Sequence, residues 1–283
     1  MKCISPIKLK KIDEVVACGR CNFCLQKRRK DWAFRLFNEY QNSRSAFFLT
    51  LTYDDDHIMY GSNVFGTLVR SDLQRFHKSV KRNQSRLLIR KYGKMNPVKE
   101  LYKIKYYGVG EYGSKTMRPH YHSIMFNLYP DTLNRILDLK LWNKGHIQAG
   151  GVTHASIDYV CKYVIDRDMD NRENERPFAQ MSKGIGENYL IKNYEMHKKG
   201  MRNYVLHNGV KQGLPRYYKD KIFEAYEKDI FKVMATEEET RCYFEELERI
   251  TRFGVEDPRG YIKDRVQMEH DKIKVKSEKL NTI

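Results

Sequence analysis

The sequence predicts an α+β chain, because strand-like and helix-like stretches alternate and each keeps its own periodicity. The clearest strand is Phe47–Tyr53, FFLTLTY, rich in aromatic and β-branched residues and closed by Asp54, Asp55 and Asp56. A strand pair follows between Lys103 and Asn127, KIKYYGVGEYGSKTMRPHYHSIMFN. Between and around these lie stretches with apolar residues at three- and four-residue intervals, the mark of helices packed on a sheet.

The chain begins with Cys3 and then Cys18-Gly-Arg-Cys21-Asn-Phe-Cys24. Four thiolates at this spacing suit a tetrahedral structural zinc site; free thiols are the alternative. From about Phe23 to Gln41, Leu25, Trp32, Leu36 and Tyr40 recur at helical spacing. The first half of that helix carries Lys27, Arg28, Arg29 and Lys30, expected to meet phosphates.

Phe47–Tyr53 is apolar on both faces apart from its threonines, so it is expected inside a sheet. Ser71 is expected to cap a second helix built on Leu73, Phe76, Val80 and Leu87 and ended by Gly93 and Pro97. In the strand pair, His120 and His122 alternate with Tyr121 and therefore share a face. Two imidazoles beside a carboxylate on the partner strand, Glu111, make half a cage for a divalent cation. Gly108-Val-Gly110-Glu-Tyr-Gly113 spells G-x-G-x-x-G, but a strand follows it and no helix. A dinucleotide site is therefore excluded, and the glycines are expected in turns and bulges.

A helix is expected from Pro130 to about Trp142, then a short strand in Gly145–Thr153 with a turn at Gly150-Gly151. Ser156–Ile165 is expected to be helical, which puts Tyr159, Lys162 and Tyr163 on one face. Alone, such a face is an ordinary half-buried core. Residues 166–186 suggest a polar loop ending in Ser182-Lys-Gly-Ile-Gly186. Asn203–Lys211 suggests a hairpin turning at Asn208-Gly209, and the segment from about Glu237 is helical, broken near Gly254 and Pro258.

Composition bounds the partner. The formal charge is +17, and residues 1–120 hold 25 Lys+Arg against 10 Asp+Glu while the remainder is nearly balanced. A basic half joined to a balanced half points to a polyanion, nucleic acid before membrane. No apolar run approaches the ~20 residues that span a bilayer, and no secretory signal opens the chain. The expected compartment is the cytoplasm. With no G-x-x-x-x-G-K-[ST], the chain shows no built-in helicase motor.

A cation at Glu111, His120 and His122 can polarise a phosphoryl oxygen. Tyr159 and Tyr163, with Lys162 beside them, offer phenols that positive charge would help to ionise. That chemistry is a tyrosine transesterification on DNA.

In FFLTLTYD (Phe47–Asp54), RPHYH (Arg118–His122) and YVCKY (Tyr159–Tyr163), taken in this order, the chain resembles rolling-circle replication initiators of the HUH endonuclease superfamily. The cysteine cluster followed by KRRKDWAFRL, the SKGIG segment and LPRYY (Leu214–Tyr218) are similar to those of gokushovirus-type single-stranded-DNA phages. The resemblance runs from Cys3 to about Tyr218. It implies a metal-dependent nickase that cuts the origin strand, keeps a 5′-phosphotyrosine link and later rejoins the strand. It implies Mg or Mn at His120, His122 and Glu111, with nitrogen ligands favouring Mn, and Tyr159 and Tyr163 as nucleophiles with Lys162 beside them. The implied partners are single-stranded or hairpin origin DNA, contacted in part by Arg118, and a host helicase and polymerase. The implied fold is an antiparallel sheet with the histidines on a central strand and the tyrosine helix across its metal face. The expected division is a cysteine-rich segment and basic helix over 1–45, an endonuclease domain over 46–220 and a helical extension over 221–283. The rival readings are a relaxase or transposase of the same superfamily, a non-catalytic zinc-stapled DNA-binding regulator, and a cupin-like metal enzyme.

Overall fold

The computed structural model describes residues 3–9, 14–61, 66–138, 141–162, 174–207 and 209–281. In chain order the elements are β1 (Ile7–Leu9), β2 (Glu14–Val16), α1 (Asn22–Asn42), β3 (Ala46–Tyr53), α2 (Arg70–Tyr92), α3 (Val98–Leu101), β4 (Lys105–Tyr112) and β5 (Pro119–Phe126). There follow α4 (Pro130–Asp138), β6 (Gly145–Gly151), α5 (His154–Lys162), β7 (Phe178–Met181), α6 (Glu187–Lys199), β8 (Tyr204–His207) and β9 (Val210–Gly213). Three helices close the chain: α7 (Arg216–Ile222), α8 (Ala225–Arg252) and α9 (Pro258–Asn281). The fold is α+β, as expected. Among the described residues no helix is long and apolar enough to cross a membrane.

The chain forms two compact units, residues 32–191 and residues 1–31 with 192–283. The first is built on a five-stranded antiparallel sheet in the order β6-β3-β5-β4-β7. β5, which carries both histidines, is the middle strand. Because side chains alternate, each strand feeds two cores. On one face Leu49, Leu51, Tyr53, Tyr121 and Met125 pack against Leu73, Phe76 and Val80 of α2 and against Ile136 of α4. On the other, Tyr107, Val109, Ile124 and Phe126 meet Leu36 of α1 and Ile157, Val160 and Cys161 of α5. The tyrosine helix therefore crosses the histidine face, and the basic helix α2 lies behind the sheet.

Several local expectations change. α2 starts at Arg70 and not after Ser71; Val69 stands at its N-cap with no side-chain cap. The backbone N–H of Val69 instead donates to the Tyr121 hydroxyl at 2.8 Å, so a tertiary contact replaces the cap. Gly93, at φ +85°, does end the helix, its N–H donating to the Ile89 carbonyl. Pro97 begins α3.

Gly108 and Gly110 sit in an unbroken ladder, not in a turn or bulge. They are small because the helix face is close: a Cβ on Gly108 would lie 2.9 Å from the His77 ring, and one on Gly110 2.9 Å from Phe178. α4 stops at Asp138, and Trp142 turns into the core, its indole N–H donating to the Thr52 carbonyl at 2.9 Å. β6 runs straight through Gly150 and Gly151, paired with Phe48 and Phe47. Its obligatory glycine is Gly145, at φ +147°, where a Cβ would meet the Thr52 carbonyl oxygen at 2.2 Å.

The polar stretch before Ser182 contains β7, whose four residues pair with β4. The Ser182–Gly186 segment is a turn as expected, leading into α6 and tied down by buried Glu39, which accepts from Gly186 N–H and from Lys105 Nζ. In the second unit β8 and β9 form the expected hairpin, with Gly209 at φ +73°; Asn208 lies outside the described residues. The C-terminal helical region begins at Ala225, earlier than Glu237, and breaks between Arg252 and Pro258.

Candidate functional site

The register of β3, β5 and β4 assembles the centre. Thr52, His120 and Glu111 form one cross-strand row, and Thr50, His122 and Val109 the next but one on the same face. Glu111 therefore stands directly opposite His120, and His122 lies one pleat along.

Three donors converge on one atom. His120 Nε2 and His122 Nε2 each lie 2.8 Å from Glu111 Oε1, and the Tyr159 hydroxyl donates to the same oxygen at 2.9 Å. The far sides of the rings are fixed as well. His120 Nδ1 is 3.1 Å from the Arg118 carbonyl, which can only accept, so Nδ1 carries a proton. His122 Nδ1 is 3.0 Å from Thr50 Oγ1. This is the outer support that orients imidazoles for metal ligation through Nε2. Thr50 went unnoticed as a site residue in the sequence, although the alternation of FFLTLTY places it on the face of the histidines.

Charge and burial oppose one another here. Burial disfavours the Glu111 carboxylate, yet hydrogen bonds from His120 and His122 outweigh it and hold the carboxyl below the usual range. Burial likewise disfavours a charged His120, but the Glu111 carboxylate raises its pKa. The Tyr159 phenol is pushed well up, by burial first and then by the negative charge of Glu111. Lys162 is buried, with Nζ 5.9 Å from the centre of the Tyr159 ring. It does not offset those two effects, contrary to the ionising role expected from spacing.

The residues fit a divalent cation. Donor atoms of Glu111, His120 and His122 all lie within 4.8 Å of one another. Glu111 is 3% exposed, and its Oε2 is buried without a hydrogen-bond partner. A buried carboxylate oxygen left without a donor costs on the order of 1–3 kcal/mol or more, a cost that a cation removes. Two nitrogens and one carboxylate from one sheet face leave further coordination positions open, as a catalytic ion requires.

The structure brings Tyr159 to this centre, its ring 5.2 Å from that of His122 and edge-on to it. Tyr163, the second expected nucleophile, lies outside the described residues. Arg118 is engaged by the turn after β3: Nη2 donates to the Tyr53 carbonyl at 2.7 Å, and Nη1 lies 2.7 Å from Asp55 Oδ1. Lys27, Arg28 and Lys30 are exposed on α1 and Arg29 is half-buried, with Lys27 paired to Asp31. The basic residues of α2, which the charge pattern placed along phosphates, are carried on the sheet face opposite the histidines. Cys3, Cys18, Cys21 and Cys24 come together in the other unit.

Comparison with known proteins agrees with this geometry. Residues 46–168 match a family model described as replication-associated protein ORF2. The chain is similar to the replication-associated protein VP4 of Bdellovibrio phage phiMH2K, 31% identical over 78% of this chain and 76% of the relative. It is also similar to replication-associated protein ORF4 of Chlamydia phage 1, at 30% identity over 78% of this chain. There it spans only 57% of the relative's length. Replication-associated protein ORF2 of Spiroplasma virus 4 is 27% identical over 78% of this chain and 71% of its own. No solved structure matches the chain.

Proposed function

The chain belongs to the replication-associated proteins of small phages, and from that premise we propose that it is a metal-dependent nickase and strand transferase. It initiates rolling-circle replication by cutting the origin strand of single-stranded or hairpin DNA. The observation that carries this reading is the convergence of His120, His122 and Tyr159 on Glu111 Oε1.

When bound by Glu111, His120 and His122, Mg or Mn supplies a positive charge that polarises a phosphoryl oxygen and favours the phenolate. The chain's own residues do the rest. Thr50 and the Arg118 carbonyl hold the two imidazoles with Nε2 turned inward. Glu111 Oε1 accepts the Tyr159 proton in its hydrogen bond and aims the phenolic oxygen at the same centre. Phe48 and His122 flank the ring and fix its approach. Tyr159 Oη attacks the phosphorus in line. The P–Oη bond forms, the P–O3′ bond breaks, and the phenolic proton ends on the departing 3′-oxygen. The 3′-hydroxyl then primes a polymerase, which the host supplies together with a helicase. The reverse reaction rejoins the strand, and Tyr163 supplies the second phenol that a repeated cycle needs.

The test is labelled single-stranded origin DNA incubated with the protein and Mn or Mg, read as a covalent adduct on a denaturing gel. Tyr159→Phe with Tyr163→Phe should abolish the adduct. Loss of a cation's electrostatic stabilisation, several kcal/mol, should make His120→Ala slower by at least about 100-fold. An adduct that survives the double tyrosine change removes the proposed nucleophiles. No adduct from the parent protein, with DNA binding intact, leaves the non-catalytic regulator.

A further inference from the structure

The second metal-like cluster among the described residues contains only sulfur. We infer that Cys3, Cys18, Cys21 and Cys24 bind one structural zinc ion, and that this ion fixes the start of α1 where α9 docks on it. The inference does not depend on the nickase reading.

Sulfur geometry is the first support. Cys18 Sγ lies 3.9 Å from Cys24 Sγ, and Cys21 Sγ lies 3.9 Å from Cys3 Sγ and 3.5 Å from Cys24 Sγ. Zinc–thiolate bonds of about 2.3 Å place tetrahedral sulfurs about 3.8 Å apart. A disulfide would require about 2.05 Å, and all four cysteines are free.

Backbone donors are the second support, independent of the first. Cys18 N–H points at Cys3 Sγ at 3.3 Å, and the N–H groups of Cys21 and Arg20 point at Cys18 Sγ at 3.2 and 3.4 Å. Backbone N–H groups aimed at sulfur stabilise thiolate, the form that ligates a metal. Gly19, at φ +70°, gives the tight turn that turns those N–H groups inward.

Four protein sulfurs close the coordination shell, so no position remains for substrate. Soft thiolates in a tetrahedron select zinc over the oxygen-preferring ion expected at Glu111. The ion would join Cys3, before the β1–β2 hairpin, to Cys18 after it and to Cys21 and Cys24 at the first turn of α1. That turn also holds α9. Asn22 N–H, an orphan donor at the helix start, donates to His270 Nε2 at 3.3 Å, and the rings of Phe23 and His270 are 5.7 Å apart.

The full-length protein, purified without added metal and dialysed against a chelator that strips Mg and Mn, should retain about one zinc per chain by elemental analysis. The His120→Ala variant should retain the same amount, whereas Cys21→Ser with Cys24→Ser should lose it. A mercurial thiol reagent should release the zinc and turn α9 from protease-resistant to readily cut. Because the double serine variant can fail to fold, cobalt substitution of the unaltered protein gives a second reading. Tetrahedral thiolate-bound cobalt shows intense visible bands. Zinc lost with His120→Ala, four freely titrating thiols, two disulfides by mass, or bound iron would each overturn the site. Equal cutting of α9 before and after release would overturn its link to α9.

Discussion

His77 lies on α2 beneath the sheet, fully buried, with Nε2 2.9 Å from Ser123 Oγ and its ring stacked 3.7 Å from that of Tyr106. Burial, with a smaller push from Lys81, drives its pKa down from 6.5 to about 3. The sign follows from proton counting. Between pH 6.5 and 3 the unfolded chain binds a proton that the folded chain refuses, so stability falls as pH drops through that window. The slope is about 1.4 kcal/mol per pH unit. Urea unfolding at several pH values should show this slope in the parent protein and lose it in His77→Gln; parallel curves would mean that His77 is protonated in the fold. The same ring explains Gly108, since any side chain there would strike it. No sequence pattern announces that collision.

At the scale of elements, β3 supports the centre without supplying a ligand. Thr50 is paired with His122 in the ladder, and its hydroxyl reaches Nδ1 of that residue. Thr50→Val keeps a β-branched residue that suits a strand but removes the oxygen. The expected result is Mn affinity about 10–100-fold weaker, with unchanged circular dichroism, measured by titration calorimetry. Unchanged affinity would show that packing against Phe48, whose ring is 5.1 Å from that of His122, is enough to orient it. Element boundaries were legible where a local cause sets them, as at Gly93. They were not legible where a distant group does, as at Val69, which Tyr121 caps from another strand.

For the whole molecule, a charge of +17 concentrated in residues 1–120 should dominate binding to single-stranded DNA. Affinity should fall linearly with salt on logarithmic axes, with a slope of about −0.7 per phosphate contacted. Lys30 and Arg28 are exposed on α1, so Arg28→Ala with Lys30→Ala should flatten the slope by about 1.4 and leave Mn affinity intact. A slope that stays the same would take those residues off the DNA path. The division into units runs within α1 and gathers residues 1–31 with 192–283, where sequence order suggests separate N- and C-terminal segments. Such a grouping depends on contacts between residues far apart in the chain, such as Asn22 with His270.

By itself, the sequence determined the strands bearing FFLTLTY and RPHYH, the shared face of His120 and His122, the helix carrying Tyr159 and Lys162, and the basic character of the first half. These follow from periodicity two, periodicity three to four, and composition, all of which act locally along the chain. Only the tertiary structure decided that Glu111 faces His120, that one carboxylate oxygen receives both histidines and Tyr159, and that Thr50 orients the centre. It also put the charges of α2 behind the sheet. Register and layer order arise from burying both faces of one sheet at once, and no single segment contains that information.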